Sequence, residues 1–574
     1  MSPRHLLQNL AIALVLGAMC ATPVMARNVC KPIMNACTKA GYTKSGGTDG
    51  KGLIHGCLEP ILNGKTGGGL PTIDAATIAD CKANRDNKSA TAAAPTADAT
   101  KAPDQPKAMP ADQPKPPNIV MVLVDDLSLN LLTQDQDILQ KSMPNVALMM
   151  KEGTSFSHYF VTDSLCCPSR TSIFTGMMPH NSKVYTNNPP YGGFGAFMQA
   201  GDDGKSFAVA LHDRFYQTAM MGKYLNGYLP NENGPPIGWS EWAVAGNGYP
   251  NFNYMLNHDG EQLRSPLHLT DELSDLAQAY LKKAASGPFF LEVATFSPHS
   301  PYVPPARYKT AFPEITYPKD ASYGVRPDDA APAWLKEIPA LKPADGPKME
   351  EEFRNRVRSD KGVDDMIGAL RKTLADLGVD KNTYIIFTSD NGYHMGEYSM
   401  TSGKQTPFDT DIQVPLVIVG PGIAAGKTID AMTMNIDFYP TFAEWAGSPA
   451  NPNVDGHSLA GLLQGKGTEP WRNIALVEHK HDDGKTSDNP DKPAKRSGNP
   501  PDYTAMRMPD AMYVEYQNGP DKIGYYDMKT DPLQLHNIAG TLSDAKKKAL
   551  HDAMAANVAC KGATQCWSAQ SLAP

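Results

Sequence analysis

Four short stretches of the chain are almost unbroken runs of aliphatic and aromatic residues: NIVMVLVDDL (118–127), PFFLEVATFSPH (288–299), TYIIFTSDNG (383–392) and VPLVIVGPGI (414–423). Runs of this length without polar alternation suit strands buried on both faces. Between them, LHLTDELSDLAQAYLKKAAS and VDDMIGALRKTLADLG repeat their apolar residues at helical spacing, as expected for helices with one face in a core. Strands alternating with helices predict an α/β fold, a mostly parallel sheet covered by helices on both sides. Such sheets bind ligands beyond the carboxyl ends of their strands. Polar residues gather where these strands stop.

The flanking regions have a different texture. The first residues, MSPRHLLQNLAIALVLGAMCATPVMARNVC, carry an arginine, an apolar stretch and small residues before Ala26. They predict a secretory signal over 1–26. A lipid anchor at Cys20 is the rival, but Met19 is larger than the small residue such processing prefers. Residues 27–83 are glycine-rich with four cysteines, Cys30, Cys37, Cys57 and Cys81, and predict a small disulfide-rich module. Three pairings are open. Zinc binding by the four is the alternative, but they lack close CxxC pairs. Residues 84–117, rich in Pro and Ala, predict a linker. The alternating region, 118–446, predicts the catalytic domain, and 447–574 a smaller α+β subdomain, in which MYVEYQNGPDKIGYYDMKTDPLQLHNIA reads as a hairpin followed by a helix. Cys560 and Cys566 can close a small loop. No later run reaches the roughly 18 apolar residues needed to span a bilayer, so no stable membrane insertion is expected. The export signal and the cysteines together predict a secreted or periplasmic protein.

Composition changes this picture little. A formal net charge of -8 with no basic stripe argues against nucleic acid, and none is expected as a partner. Any bound anion is expected to be held locally. Asp125 and Asp126 end the first strand, and Asp390 and Asn391 end the third. Either pair alone reads equally as turn residues. Together, on two strand ends of one sheet, they repel unless a cation lies among them, and their oxygens suit Ca²⁺ or Mg²⁺. Lys223, His299, His394 and Lys404 fall in comparable loops, each with an ordinary structural alternative. A divalent ion with several cationic donors is what a tetrahedral oxyanion needs. SLCCPSRTSIFTG (164–176) then places Cys166 just ahead of a short helix, with Arg170 one turn in. A helix N-terminus favours an anion. A thiol beside clustered carboxylates is a poor nucleophile, because its pKa rises.

CCPSRTSIFTG resembles the sulfatase signature C-x-P-S-R followed by x-x-x-L-T-G, with Phe174 at the leucine position. In that family a separate maturation enzyme oxidises the first cysteine to Cα-formylglycine, whose hydrate attacks sulfur. The resemblance gives this role to Cys166 and extends from about Asn118 to the C-terminus. It implies a three-layer α/β/α domain like that of alkaline phosphatases. It implies one Ca²⁺ held by Asp125, Asp126, Asp390, Asn391 and the modified Cys166, with Arg170, Lys223, His299 and Lys404 as catalytic groups. His394 and Asn226 are expected to contact substrate. Many arylsulfatases read G-K-W-H-L-G where this chain reads GKYLNGY, so their second histidine is missing and Asn226 lies one position further on. The GKYLN and DNGYH pairing is more similar to glucosamine-6-sulfatases and leans the substrate towards a sulfated sugar. The alternatives are a phosphomonoester or phosphodiester hydrolase of the same superfamily, and a non-catalytic protein that binds sulfated glycans.

Overall fold

The structure, a computed structural model, describes residues 31–42, 57–62, 64–79, 81–82, 100–110, 112–246, 248–466, 471–481, 491, 496–517 and 522–572. The expected signal segment and Cys30 lie outside the described residues. The chain forms two compact units, 1–93 and 94–574.

In the first unit, helix α1 (Lys31–Lys39) buries Ile33 and Cys37 with Leu58, Ile61 and Leu62. Cys37 bonds to Cys57, and Cys81 is also disulfide-bonded. A unit this small gains much of its stability from such staples.

The second unit is built on a ten-stranded sheet. In chain order its strands are β1 (Asn118–Val124), β2 (Thr154–Phe156), β3 (Gln217–Lys223), β4 (Glu241–Ala245), β5 (Leu256–His258), β6 (Glu261–Leu263), β7 (Phe289–Ala294), β8 (Thr383–Ser389), β9 (Leu416–Val419) and β10 (Lys427–Ile429). Their spatial order is β10-β2-β9-β8-β1-β7-β3-β4-β5-β6. The central five, β8-β1-β7-β3-β4, are all parallel. β9 runs antiparallel to β8, so VPLVIVGPGI is an apolar strand that departs from the parallel pattern.

The unbroken apolar character of β1 has a direct cause. Ile119, Met121 and Leu123 enter one core, while Val120, Val122 and Val124 enter the other. The first core holds Ile173 and Phe174 of α2 (Cys166–Thr175), and the second holds the apolar faces of α3 (Leu269–Ala284) and α4 (Asp345–Asp376). Helices thus cover both faces. VDDMIGALRKTLADLG is only the last part of α4, which the polar, proline-containing stretch before it concealed.

A four-stranded antiparallel sheet follows: β11 (Ala475–His479), β12 (Tyr503–Met508), β13 (Ala511–Tyr516) and β14 (Ile523–Asp527). Its Leu476, Val477, Met506 and Val514 share the first core with β1. The expected hairpin is β13–β14, but the helix expected directly after it is absent. There the Asp531 carboxylate accepts the N–H groups of Leu535 and His536 and holds a turn. The helix, α5 (Asp544–Ala559), begins later, with Ser543 capping it, and α6 (Gly562–Gln570) is tied back by Cys560–Cys566. Ahead of β1, Gln105 Nε2 donates to the Ser240 carbonyl at 2.7 Å, and Tyr216 donates to the carbonyl of Pro117 at 2.6 Å.

Candidate active site

The carboxyl ends of β1, β3, β7 and β8 bring most of the expected residues to one place. Asp125 and Asp126 leave β1, Lys223 ends β3, His299 follows β7, and Asp390 and Asn391 follow β8. All are buried. Asp126 has φ +69°, a left-handed conformation that Asp tolerates better than most residues. Its N–H donates to Asp390 Oδ1 at 3.2 Å, and the Arg356 guanidinium of α4 donates to its carbonyl.

Helix α2 supplies the centre. Cys166 is its first residue and Pro168 its third, so the helix starts two residues earlier than proline at a first helical position implies. It ends at Gly176, where φ is +65° and an added Cβ would lie 2.7 Å from Val454. Cys166 and Cys167 are both free thiols. Cys167 faces the apolar core, whereas Cys166 Sγ lies 3.3 Å from Asp125 Oδ1 and 2.8 Å from Lys404 Nζ. Burial, with Asp125, Asp390 and Asp491 beside it, holds the Cys166 thiol well above its ordinary pKa. That direction favours the protonated thiol over the nucleophilic thiolate.

The charges interlock. Lys223 Nζ meets Asp125 Oδ2 at 2.6 Å, Lys404 Nζ meets Asp126 Oδ1 at 2.6 Å, and Arg170 Nε meets Asp390 Oδ2 at 2.8 Å. Burial opposes the charge on each lysine, but Asp125 for Lys223, and Asp126 with Asp491 for Lys404, hold both pKa values well above normal. Burial would raise the Asp125 carboxyl; Lys223 and His299 outweigh it and lower the pKa. For His299, burial lowers the pKa and Asp126, Asp491 and Asp125 more than restore it. A catalytic site with its charges paired in this way is preorganised.

Ligating atoms of Asp125, Asp126, Cys166 and His299 lie within 4.8 Å of one another. Asp126 Oδ2 and Asn391 Oδ1 are buried without a hydrogen-bond partner. Buried acceptors rarely stay unsatisfied. Two orphaned oxygens among several carboxylates fit a hard divalent cation in donor chemistry. Both Asp390 oxygens, in contrast, already accept hydrogen bonds, from the N–H groups of Asp126 and Asn391 and from Arg170.

A cavity of about 560 Å³ opens above this cluster, with Asp126, His299, Tyr302, Tyr393, Lys404 and Asp491 among its walls. Asn226 is bonded to one wall residue, its Nδ2 lying 3.2 Å from the Tyr249 hydroxyl and 3.3 Å from Asp491 Oδ2. His394 is elsewhere. It is fully buried, with Nδ1 at 2.9 Å from Asp411 Oδ1 and Nε2 at 2.9 Å from the Ser497 carbonyl. Neither ring nitrogen reaches the cavity, so a substrate contact does not follow from its placement. Sequence reasoning missed Asp491 altogether. It lies far along the chain, in a polar stretch with no motif, and nothing in its neighbourhood marks it.

Comparison with known proteins decides the family. The family model described as Sulfatase matches residues 117–448, more than half of the chain. The chain belongs to the sulfatase family. A second model, N-sulphoglucosamine sulphohydrolase, C-terminal, matches residues 396–559 of this sulfatase. Human N-acetylglucosamine-6-sulfatase is 32% identical over 466 residues, spanning 74% of this chain and 81% of that protein. Among solved structures, one of an enzyme with its substrate D-glucosamine-2-N,6-O-disulfate has a TM-score of 0.64 at 23% identity, covering 77% of this chain and 97% of its own. A phosphonate monoester hydrolase from Silicibacter pomeroyi has a TM-score of 0.59 at 19% identity, covering 76% and 95%. At these identities the two structures establish the fold alone. No helix among the described residues is long and apolar enough to cross a membrane.

Proposed function

We propose that this sulfatase hydrolyses sulfate monoesters on sugars, using Cys166 after its conversion to Cα-formylglycine by a separate maturation enzyme. One observation carries the reading: Cys166 sits at the head of α2 among Asp125, Lys404 and Lys223, where burial and carboxylates disable a thiol and an oxygen nucleophile fits. The hydrated aldehyde supplies that oxygen. Asp125, Asp126, Asp390 and Asn391, with the side chain at 166, would hold one Ca²⁺, which when bound neutralises carboxylate charge and draws electrons from a bound oxyanion. The similarity to N-acetylglucosamine-6-sulfatase supports a sugar sulfate as substrate. The apolar segment near the N-terminus and the disulfides support export to the periplasm or beyond.

The residues divide the work. Arg170 and Lys223 fix Asp390 and Asp125 in place through buried ion pairs. Lys404 Nζ, 2.8 Å from Sγ, reaches any oxygen borne at that position and the sulfate beside it. His299 keeps Nδ1 on the Ser300 carbonyl at 2.6 Å, which leaves Nε2–H as the proton for the departing sugar oxygen. Asn226, bonded to Asp491 of the cavity wall, is assigned to the substrate once that carboxylate is engaged. His394 acts by position, since Gly403, next to Lys404, exchanges backbone hydrogen bonds with it at 2.9 and 3.0 Å.

Mass spectrometry of the tryptic peptide holding Cys166, from cells that contain the maturation enzyme, tests this. Loss of about 18 Da relative to the thiol is expected, the mass change of a thiol side chain oxidised to an aldehyde. Cys166→Ala should abolish turnover of matched sulfate esters and Cys167→Ala should keep most of it; equal loss in both overturns the assignment. Faster turnover of the matched phosphate ester would favour the phosphohydrolase reading instead. Chelation should inactivate the enzyme and Ca²⁺ restore it, whereas full activity after exhaustive metal removal would dismiss the cation site.

A further inference from the structure

Asp491 contacts two of the proposed catalytic groups and three amide side chains around them. Its Oδ1 lies 2.5 Å from His299 Nε2 and 2.7 Å from Lys404 Nζ. Its Oδ2 accepts from Asn187 Nδ2 at 2.7 Å and Asn226 Nδ2 at 3.3 Å. Its backbone carbonyl accepts from Gln405 Nε2 at 3.0 Å. One carboxylate therefore gathers the donors that a sulfate group would use, above the nucleophile position.

We propose that Asp491 is an internal anion occupying the sulfate slot, so that a substrate enters only by displacing it. The inference rests on the reading above, in which Lys404 meets the sulfate, His299 the departing oxygen and Asn226 the substrate.

Proton supply at His299 supports it. With Nδ1 committed to the Ser300 carbonyl, the ring has one further nitrogen, and Asp491 holds it. The departing oxygen needs the same Nε2–H, so Asp491 and the bound ester are mutually exclusive partners. The Asn187 amide sharpens the point, because its Oδ1 accepts the Cys167 N–H at 2.8 Å and its Nδ2 is thereby aimed at Asp491. Asn187 is fixed by the Cys167 N–H of α2, Lys404 by Asp126 and His299 by the Ser300 carbonyl, so these donors are in place whichever anion they bind.

Competition of this kind has a consequence for specificity. A ligand that binds only a fraction of the protein, the fraction whose slot is open, shows an apparent affinity reduced by that fraction. A small ester offers little besides its sulfate and bears the whole reduction. A sugar sulfate, filling the cavity of about 560 Å³ beyond Asp491, offsets it with contacts to the walls. Asp491 thus selects for substrates with something to hold besides sulfate. A purely charge-balancing aspartate makes a different forecast: losing its charge eases sulfate binding electrostatically, but it lowers KM for the aryl ester and the sugar ester by the same factor.

The test uses the full matured chain and inorganic sulfate as probe. Competitive inhibition by sulfate is measured on wild type, Asp491→Asn and Asp491→Ala with an activated aryl sulfate and a sugar sulfate as substrates, alongside thermal stabilisation by sulfate without turnover. Both variants should bind sulfate at least about tenfold tighter and should lower KM for the aryl ester more than for the sugar ester. Unchanged or weaker sulfate binding, or KM lowered by the same factor for both esters, overturns the proposal. If neither variant folds, Gln405→Ala, which loses only the bond to the Asp491 carbonyl, should shift sulfate binding in the same direction by less; no shift overturns the proposal equally. Should the wild type hydrolyse no sulfate ester while Asp491→Asn still tightens sulfate-induced stabilisation, the functional reading fails and the internal anion stands.

Discussion

The loops that follow β7 and β8 leave the sheet on either side of β1, and each carries a histidine a few residues beyond its strand. The β7 loop turns His299 towards the cavity, with one ring nitrogen on its own loop and the other among Asp126, Lys404 and Asp491. The β8 loop folds His394 away, and Asp411 and the Ser497 carbonyl take both nitrogens. Residue type and spacing from the strand are alike. Satisfaction differs. A histidine whose ring is wholly engaged by the protein holds structure, whereas one with a nitrogen facing an anion site is placed for proton transfer.

Between the two histidines, the larger expected effect comes from His299→Ala. Loss of a positioned acid costs about 10²–10⁴ in rate, and it should appear on sugar sulfates, whose leaving oxygen needs the proton. Activated aryl sulfates should lose far less. Equal slowing of both ester types would remove the acid role and leave His299 as a sulfate contact, narrowing the contrast with His394.

His394→Ala should act first on stability. Leaving a buried Asp411 carboxylate without its ring partner costs about 1–3 kcal/mol, read as a lowered Tm. Turnover should fall more than KM rises, because the His394 ring ties Asp411 and the Ser497 carbonyl against Gly403, next to Lys404. A raised KM with changed sugar selectivity and an unaltered Tm would return His394 to the substrate.

The smallest effect is a pH dependence. Burial lowers the His394 pKa, but Asp411 more than compensates and it stands above the ordinary histidine value. A group raised in the folded state adds stability that is complete below its unfolded pKa of about 6.5 and is lost as pH rises through its folded value. The Tm gap between wild type and His394→Ala should therefore be widest near pH 6 and shrink at higher pH. A gap that grows with pH contradicts the sign.

Much of the site was legible because its parts stand at strand ends. A fully buried strand announces itself as an apolar run, and the first polar residues after it must face the sheet's carboxyl edge; Asp125, Asp126, Asp390, Asn391 and His299 are all of this kind. Lys404 and Arg170 were legible only through motif, since a lysine in a loop carries no periodic signal. The length of α4 was hidden by the polar, proline-containing stretch at its start, and the late start of α5 by local turn chemistry, the Asp531 carboxylate closing on Leu535 and His536 in competition with helical spacing.

By itself, the sequence determined the layered α/β architecture, the pairs of acidic strand ends and the position of the cysteine ahead of an arginine. Each follows from short-range patterns: apolar runs, helical periodicity and adjacent functional groups. Only the tertiary structure decided which histidine meets the cavity, that Cys37 bonds to Cys57, and that Asp491 reaches across to His299 and Lys404, residues about 190 and 90 positions away along the chain. Those contacts depend on where distant segments pack, and hydrogen-bond saturation in a buried site is a property of all its neighbours at once.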